Sequence, residues 1–437
     1  MAEVFNQLTY YRLGAFTMNK RDFLKNSTVL GVTGSIVSPS SVLAHNFDRS
    51  SLKDITGDAV SITVDERKAR VSKAQKIMRK MNIDMLLIEA GSALIYFTGV
   101  RWRRSERFTG VLIPANGDIT FITPFFEEPS VRESMAFGEN VLTWHEHENP
   151  FDLVSNVLNN LGLKKGRIAV EETVRHFIVY GVQLAAKNFQ VVSGQDITRG
   201  CRMYKSPAEI ALMQKANDVT IQAYQYVYQQ IEEGMYPADI ATLMDDATLA
   251  LGGRPVFSGV LLNEASAYPH GTEQPQQVKQ GGIILMDCGC SVHDYQSDIS
   301  RTWVHGEPTK KHRKVWETVK RGQELALESA MIGVPAGKVD DTVRAYYEKQ
   351  GYGPGYQTPG LSHRLGHGIG MDGHEPVNFV HGEATEISPG MCFSNEPGIY
   401  IFGEFGVRLE DCLYMTQNGP KLFTDLSLSI DEPFHGN

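Results

Sequence analysis

Four strand-like segments in the second half of the chain each set an acid, Asp287, Asp298, Glu396 or Glu410, among apolar neighbours, and that pattern constrains the fold more than any other feature. Asp287 follows IILM in IILMDCGCSVHDYQSDISRTW, and Asp298 comes after a turn at His293 and Asp294 in the same segment. Glu396 stands at the end of an apolar strand in MCFSNEPGIYI, and Glu410 lies in the next, FGVRLEDCLYM. An ionised carboxylate left unpaired in a core costs several kcal/mol or more, so a chain that buries four must bring them to cations. Pairing each acid with Lys or Arg would do so one at a time, but only Arg301 and Arg408 stand beside them. A hairpin at His293 and Asp294 brings Asp287 and Asp298 together. Divalent metal then meets the rest of the charge, since oxygen ligands with one imidazole suit manganese, cobalt, iron or zinc. Four acids and one His fit two ions better than one, and a water between two such ions is deprotonated near neutral pH, a nucleophile for hydrolysis.

The imidazole has a candidate source. Leu361–Glu375 reads LSHRLGHGIGMDGHE and sets His363, His367 and His374 among glycines that disfavour a helix. Taken alone, the segment reads equally well as a His-rich surface loop.

The rest of the chain narrows the partners. The net charge of −9 and the lack of a basic run argue against nucleic acid and anionic membrane surfaces. No apolar run approaches the roughly 18 residues of a membrane span. The five cysteines form no CxxC pair and read as buried free thiols. HEHEN at His145 falls short of HExxH because Asn149 stands where the second His would be. From Met18 the chain reads MNKRDFLKNSTVLGVTGSIVSPSSVLA, similar to a twin-arginine export signal with Lys20 in place of the first arginine. A periplasmic protein that starts at Met18 rather than Met1 is the expectation, with a cytoplasmic protein carrying an unstructured tail as the alternative. Residues 38–57 then form a linker.

Periodicity divides the remainder in two. Val64–Met81 has amphipathic helical spacing, and DMLLIEA, GVLIPA and ITFITPF are short strands between turn residues, so residues 61–198 form an α/β domain after a tail at 1–60. A second unit, 202–437, opens on SPAEIALMQKANDVTIQAYQYVYQQIEEG, with a Ser cap, a Glu three residues on and a helix running towards Gly234. Another helix is predicted over Lys311–Ile332.

In order, Asp287, Asp298, His367, Glu396 and Glu410 resemble the five ligands of the pita-bread metallopeptidases: aminopeptidase P, prolidase and methionine aminopeptidase. DCGCSVHDYQSD, GHGIG, NEPGIYI and VRLED carry the resemblance, which covers the chain from about Arg202, and the α/β unit before it is similar to the creatinase-like N-terminal domain. The resemblance implies an α/β domain followed by an α+β pita-bread catalytic domain, two divalent ions with manganese first and cobalt, zinc or iron as alternatives, and a homodimer. It also implies hydrolysis of short peptides, as a Xaa-Pro aminopeptidase or dipeptidase, by a metal-bridging hydroxide. Asp287 would bind one ion, Asp298 and Glu410 bridge both, and His367 and Glu396 complete the second site, with Glu396 shuttling protons. His270 would contact substrate, His374 stabilise the tetrahedral intermediate and His363 line the pocket. Arg408 would stand behind the ligands and orient Asp298, with Tyr400 in a similar place.

The chain departs from proline-specific relatives at one point: EPVNFVHGEATEISPG, between His374 and Met391, lacks the arginine that clamps a substrate carboxylate. His381 or one of Arg101, Arg103 and Arg104 could replace it. The alternative function is a same-fold enzyme on a small non-peptide substrate, of the dimethylsulfoniopropionate lyase, ectoine hydrolase or creatine hydrolase type. Against the lyase, Gly289 stands where a further Asp is expected.

Overall fold

The first helix shows how locally its limits are written. In the computed structural model, which describes residues 51–434, α1 (Val64–Met81) starts where the Thr63 hydroxyl accepts from Glu66 N and ends at Asn82, in the left-handed conformation at φ 54°. The export signal, and with it the choice between Met1 and Met18, lies outside the described residues. The last residues of the expected linker do not run free: Ile55 N donates to Leu251 O at 3.1 Å, and Leu52 and Ile55 pack against the core.

The first α/β unit is a mixed sheet ordered β4-β3-β2-β1-β5-β6. Its strands are β1 (Met85–Glu89), β2 (Gly110–Pro114), β3 (Thr120–Pro124), β4 (Asn140–Trp144), β5 (Gly166–Val170) and β6 (Phe189–Ser193). β1 runs parallel to β5 and antiparallel to β2. All five residues of β1 are buried, as a central strand covered on both faces requires. Because side chains alternate, Leu86 and Ile88 join α1, α2 (Ser92–Thr98) and α6 (Gln195–Arg202) on one face. Met85 and Leu87 meet α4 (Phe151–Asn160) and α5 (His176–Ala185) on the other, and α3 (Glu128–Ser134) follows β3.

The second unit begins with α7 (Pro207–Gln230), whose Ser206–Glu209 capping box is the one read from sequence; the helix stops short of Gly234. α7 and α8 (Pro237–Ala250) share a core with β7 (Arg254–Leu262) and β8 (Gly282–Val292). β8 turns through His293 and Asp294, both at positive φ, into β9 (Tyr295–Gln296), then pairs antiparallel with β10 (Ile299–His305). α9 (Lys310–Ser329), which ends before the predicted Ile332, and α10 (Gly337–Lys349) cover a second sheet. That sheet is ordered β12-β11-β13-β16-β17: β11 (Gly366–Gly368), β12 (Glu375–Phe379), β13 (Cys392–Asn395), β16 (Asp411–Thr416) and β17 (Gly419–Leu422). A separate ribbon, β14 (Gly398–Ile401) and β15 (Phe405–Arg408), stands beside it. All five cysteines are buried free thiols, and no described helix is long and apolar enough to cross a membrane.

A buried triad joins the two units. Arg70 of α1 donates to the Tyr295 hydroxyl at 2.9 Å, the hydroxyl donates to Glu209 Oε1 at 2.8 Å, and the guanidinium lies 3.3 Å from the same carboxylate. Breaking a buried pair strands the other charge, at a cost of about 3–5 kcal/mol. Arg70→Met should therefore destabilise by about 3 kcal/mol and Tyr295→Phe by about 1 kcal/mol, read as midpoint shifts in urea unfolding.

Candidate metal centre

The five residues singled out in sequence converge where the two sheets of the second unit meet. Asp287 sits on β8, and Asp298 immediately precedes β10, in the turn that returns the chain to pair with β8. His367 is the middle residue of β11, and Glu396 directly follows β13. Glu410 was expected inside a strand but occupies the break between β15 and β16. There its backbone still serves the sheets: Glu410 N donates to Ser300 O at 3.0 Å, and its carbonyl accepts from Arg301. Ligand atoms of Asp287, Asp298 and Glu410 lie within 4.8 Å of one another, as do those of His367, Glu396 and Glu410, and those of Asp298, His367 and His374. Asp298, His367 and Glu410 each stand in two of these groups.

The charge balance is more one-sided than the sequence indicated. Arg301 is engaged by a fifth acid: its guanidinium donates to Asp411 at 2.7 and 3.2 Å, and both residues are fully buried. Of the two arginines, only Arg408 faces the cluster. It bonds Asp287 Oδ2 at 2.6 Å and the Ser300 hydroxyl at 2.9 Å, so the acid it orients is Asp287 and not Asp298 as predicted. Ser300 Oγ lies 3.0 Å from Asp287 Oδ1 and 2.8 Å from Glu410 Oε2, within reach of both carboxylates. Glu410 Oε1 is buried without any hydrogen-bond partner.

Electrostatics follow from this geometry. Burial, and then the charges of Asp287 and Glu396, push Asp298 well above the ordinary carboxylate range. Burial, and then Asp298, do the same to Glu410. Burial raises Glu396 to about 7 against the opposing pull of Arg408. Burial, with His374 next, lowers His367 to about 3, so its ring is neutral. Its Nδ1 lies 3.0 Å from Gly368 O, and its Nε2 points at Glu396 Oε1 (3.3 Å) and Asp298 Oδ2 (3.6 Å). With Nδ1 as the donor to that carbonyl, Nε2 presents its lone pair to the acids. An orphaned buried carboxylate oxygen, acids at raised pKa and an imidazole aimed among them all fit divalent cations.

The surrounding residues divide by task. His374 is exposed, and its ring meets that of His367 edge-on at 4.2 Å between centroids. His363 is less free than predicted: Nδ1 lies 2.7 Å from Arg364 O and Nε2 2.7 Å from the Tyr400 hydroxyl, which in turn accepts from Arg408 at 3.3 Å. Tyr400 therefore links His363 to Arg408 rather than touching a ligand acid. His270 is exposed, and its charge is among those that depress His363 and His374, after burial. Sequence reasoning missed Ser300 and Ser394; the latter's hydroxyl accepts from His367 N at 3.1 Å. Ser300 was findable, because it lies two residues from Asp298 and opposite Asp287 in the β8–β10 register. The candidates for a missing clamp are mostly engaged elsewhere. Arg101 pairs with Asp294, Arg104 bonds Ala90 O and Thr173, and His381 pairs with Asp341, while Arg103 is exposed.

Comparison with known proteins agrees with this geometry. Residues 211–417 match the model of metallopeptidase family M24, and residues 70–204 match that of the creatinase/prolidase N-terminal domain. The chain is 31% identical over 395 residues to an uncharacterized peptidase of Schizosaccharomyces pombe, covering 84% of this chain and 83% of that protein. It is 30% identical over 360 residues to a Xaa-Pro dipeptidase of Lactobacillus helveticus (81% and 96%). Among solved structures, a prolidase from Thermococcus sibiricus superposes with a TM-score of 0.76 at 27% identity, covering 82% of this chain and 97% of that one.

The raised acids make a stability prediction. Between the ordinary glutamate value of 4.5 and about 7, Glu396 without a bound cation holds more protons folded than unfolded, so stability falls as pH rises through that window. Divalent ions displace those protons. The gain in Tm on adding Mn2+ to EDTA-treated protein should therefore be larger at pH 8 than at pH 5, as scanning fluorimetry can measure; an equal gain at both would contradict the proton-loaded cluster.

Proposed function

The chain belongs to metallopeptidase family M24, and on that premise we propose that it is a dinuclear-metal dipeptidase acting on short peptides with proline after the scissile bond. The observation that carries this reading is the cluster of Asp287, Asp298, His367, Glu396 and Glu410, whose four buried or half-buried acids meet a single arginine among the described residues, Arg408 bonded to Asp287, and in which Glu410 Oε1 has no partner. Two divalent ions, manganese first and cobalt, zinc or iron as alternatives, would supply an activated water and polarise the scissile carbonyl when bound. Asp287, Asp298 and Glu410 would hold one ion, and His367, Glu396, Asp298 and Glu410 the other.

The chain's own groups do the rest. Glu396 takes the proton released from water and returns it to the leaving nitrogen, the general acid–base part that the family resemblance gives to this position. His374, exposed to the cleft and with its pKa lowered by burial first, donates a hydrogen bond as a neutral imidazole to the oxygen on which charge develops. His270 contacts the substrate from another side. His363 forms the pocket wall with its ring, both of its nitrogens being engaged.

Arg364 answers the missing clamp. It makes no ion pair and no side-chain hydrogen bond among the described residues, and its charge is felt, after burial, by His374, His367 and Glu396. A half-buried guanidinium beside these groups is the cation available to the terminal carboxylate of a dipeptide. The similarity to a Xaa-Pro dipeptidase supports the same substrate class. The lyase alternative is disfavoured by steric closure at residue 289, where a Cβ would lie 2.3 Å from Ser297 O and 2.5 Å from the Phe257 ring.

The test is a panel of Xaa-Pro dipeptides, other dipeptides and Xaa-Pro tripeptides, each with and without chelation. The expected result is EDTA-sensitive hydrolysis of Xaa-Pro dipeptides, restored by Mn2+; turnover of a non-peptide substrate with no peptide cleavage would overturn the reading. Arg364→Ala should raise KM for dipeptides about tenfold and leave a C-terminally amidated substrate little changed. His374→Ala should lower kcat by roughly 100-fold with metal content retained.

A further inference from the structure

His374 has one ring contact, edge-on with His367, and no polar group to fix its aim. No hydrogen bond to its ring exists among the described residues, and the side chain is exposed. Its direction is therefore set by the loop at 370–375, and that loop is tied from several elements. Gln296 of β9 donates from its backbone to Gly370 O at 2.8 Å and from its side chain to Met371 O at 2.7 Å. Ser92, at the start of α2, donates to Asp372 Oδ1 at 2.5 Å. Arg202, the last residue of α6, places one nitrogen 2.7 Å from Asp372 Oδ2 and 2.6 Å from Glu375 Oε1.

Glu375, the neighbour of His374, is the knot. Its Oε1 also accepts from Met371 N at 3.0 Å and Asp372 N at 3.2 Å, and its Oε2 accepts from Lys205 Nζ at 2.9 Å. Both Glu375 and Lys205 are buried. Burial alone would raise the Glu375 pKa, but Arg202 and Lys205 outweigh it and bring it down to about 2, so the carboxylate stays charged beneath the loop. A side chain at Gly370 would not leave room for this: its Cβ would stand 2.8 Å from Lys205 Cε and 2.9 Å from both Glu375 oxygens.

We propose that Arg202 is a positioning residue for His374: by holding Glu375 and Asp372 together, it lets the last helix of the N-terminal unit set the aim of a catalytic imidazole it does not touch. The proposal rests on the role assigned to His374 above. Bonds of 2.6–2.9 Å between charged partners, of which Glu375 and Lys205 are buried and Asp372 is half-exposed, hold the loop to a narrow range of positions, and a displacement of about 1 Å at a catalytic group costs up to about 100-fold in rate.

The experiment compares Arg202→Met, Arg202→Lys, His374→Ala and the double variant Arg202→Met/His374→Ala on the preferred dipeptide, with metal content measured by elemental analysis. Arg202→Met should lower kcat at least about tenfold, with KM within about threefold of wild type and metal content unchanged. Arg202→Lys should recover most of that loss, since a single nitrogen serves both acids. In the His374→Ala background, Arg202→Met should add little. An undiminished kcat in Arg202→Met, or the same further loss in the double variant, would overturn the proposal while leaving the dipeptidase reading intact. Absence of peptide hydrolysis in the wild type would overturn both, whereas full activity of His374→Ala would overturn the role given to that histidine, and this proposal with it, and leave the dipeptidase reading standing. Should Arg202→Met fail to fold, Ser92→Ala tests the same loop: a loss of about two- to fivefold in kcat that vanishes in the His374→Ala background supports the proposal, and a loss that persists there overturns it.

Discussion

Asp287, Asp298, Glu396 and Glu410 repel one another in a site where two of them are buried and two half-buried, and the surrounding architecture is arranged around that repulsion. Each acid arrives on a different segment, at β8, before β10, after β13 and between β15 and β16, so the acids meet only when both sheets are formed. Arg408 neutralises part of the charge through Asp287, while Arg301, the other nearby arginine, serves Asp411. The imbalance that remains is what makes the site a receptor for cations rather than a set of salt bridges, because buried charge in excess must be met by protons or metal.

Rigidity around the cluster comes from two directions. From within the second unit, His363, Tyr400 and Arg408 form a continuous chain from the pocket wall to Asp287. His363 is thereby held in a frame braced by the Arg408–Asp287 ion pair. From the first unit, Ser92 and Arg202 reach the loop that carries His374, and Arg70 reaches Tyr295 at the turn of the same hairpin that bears the two aspartates. The mixed sheet of the first unit contributes none of the five ligand residues, yet its helices end where the catalytic loops need support.

What could be read from the sequence, and what could not, separates along the range of the interactions. α1 and the start of α7 were legible because caps and periodicity lie within a few residues of one another. The cluster of five was legible because an acid at the end of an apolar strand is conspicuous without knowing its neighbours, and the order of the five along the chain carries the family resemblance. Partners were not. Arg408 bonds Asp287 across 121 positions, and Arg202 meets Glu375 across 173; register between distant strands decides such pairs, and spacing along one chain says nothing of it. For the same reason His363 read as a free pocket histidine until Tyr400 closed on it, and Glu410 read as a strand residue although it occupies a break between two.

The closure at Gly289 bears on descent. With the Ser297 carbonyl and the Phe257 ring against its α-carbon, position 289 tolerates no side chain while β8 and the turn into β10 keep their present spacing. An acid there would push β8 away from the turn at Ser297, and those two segments carry Asp287 and Asp298. Gaining a carboxylate at 289 therefore takes more than one substitution, because the backbone on both sides of the acid pair has to shift with it.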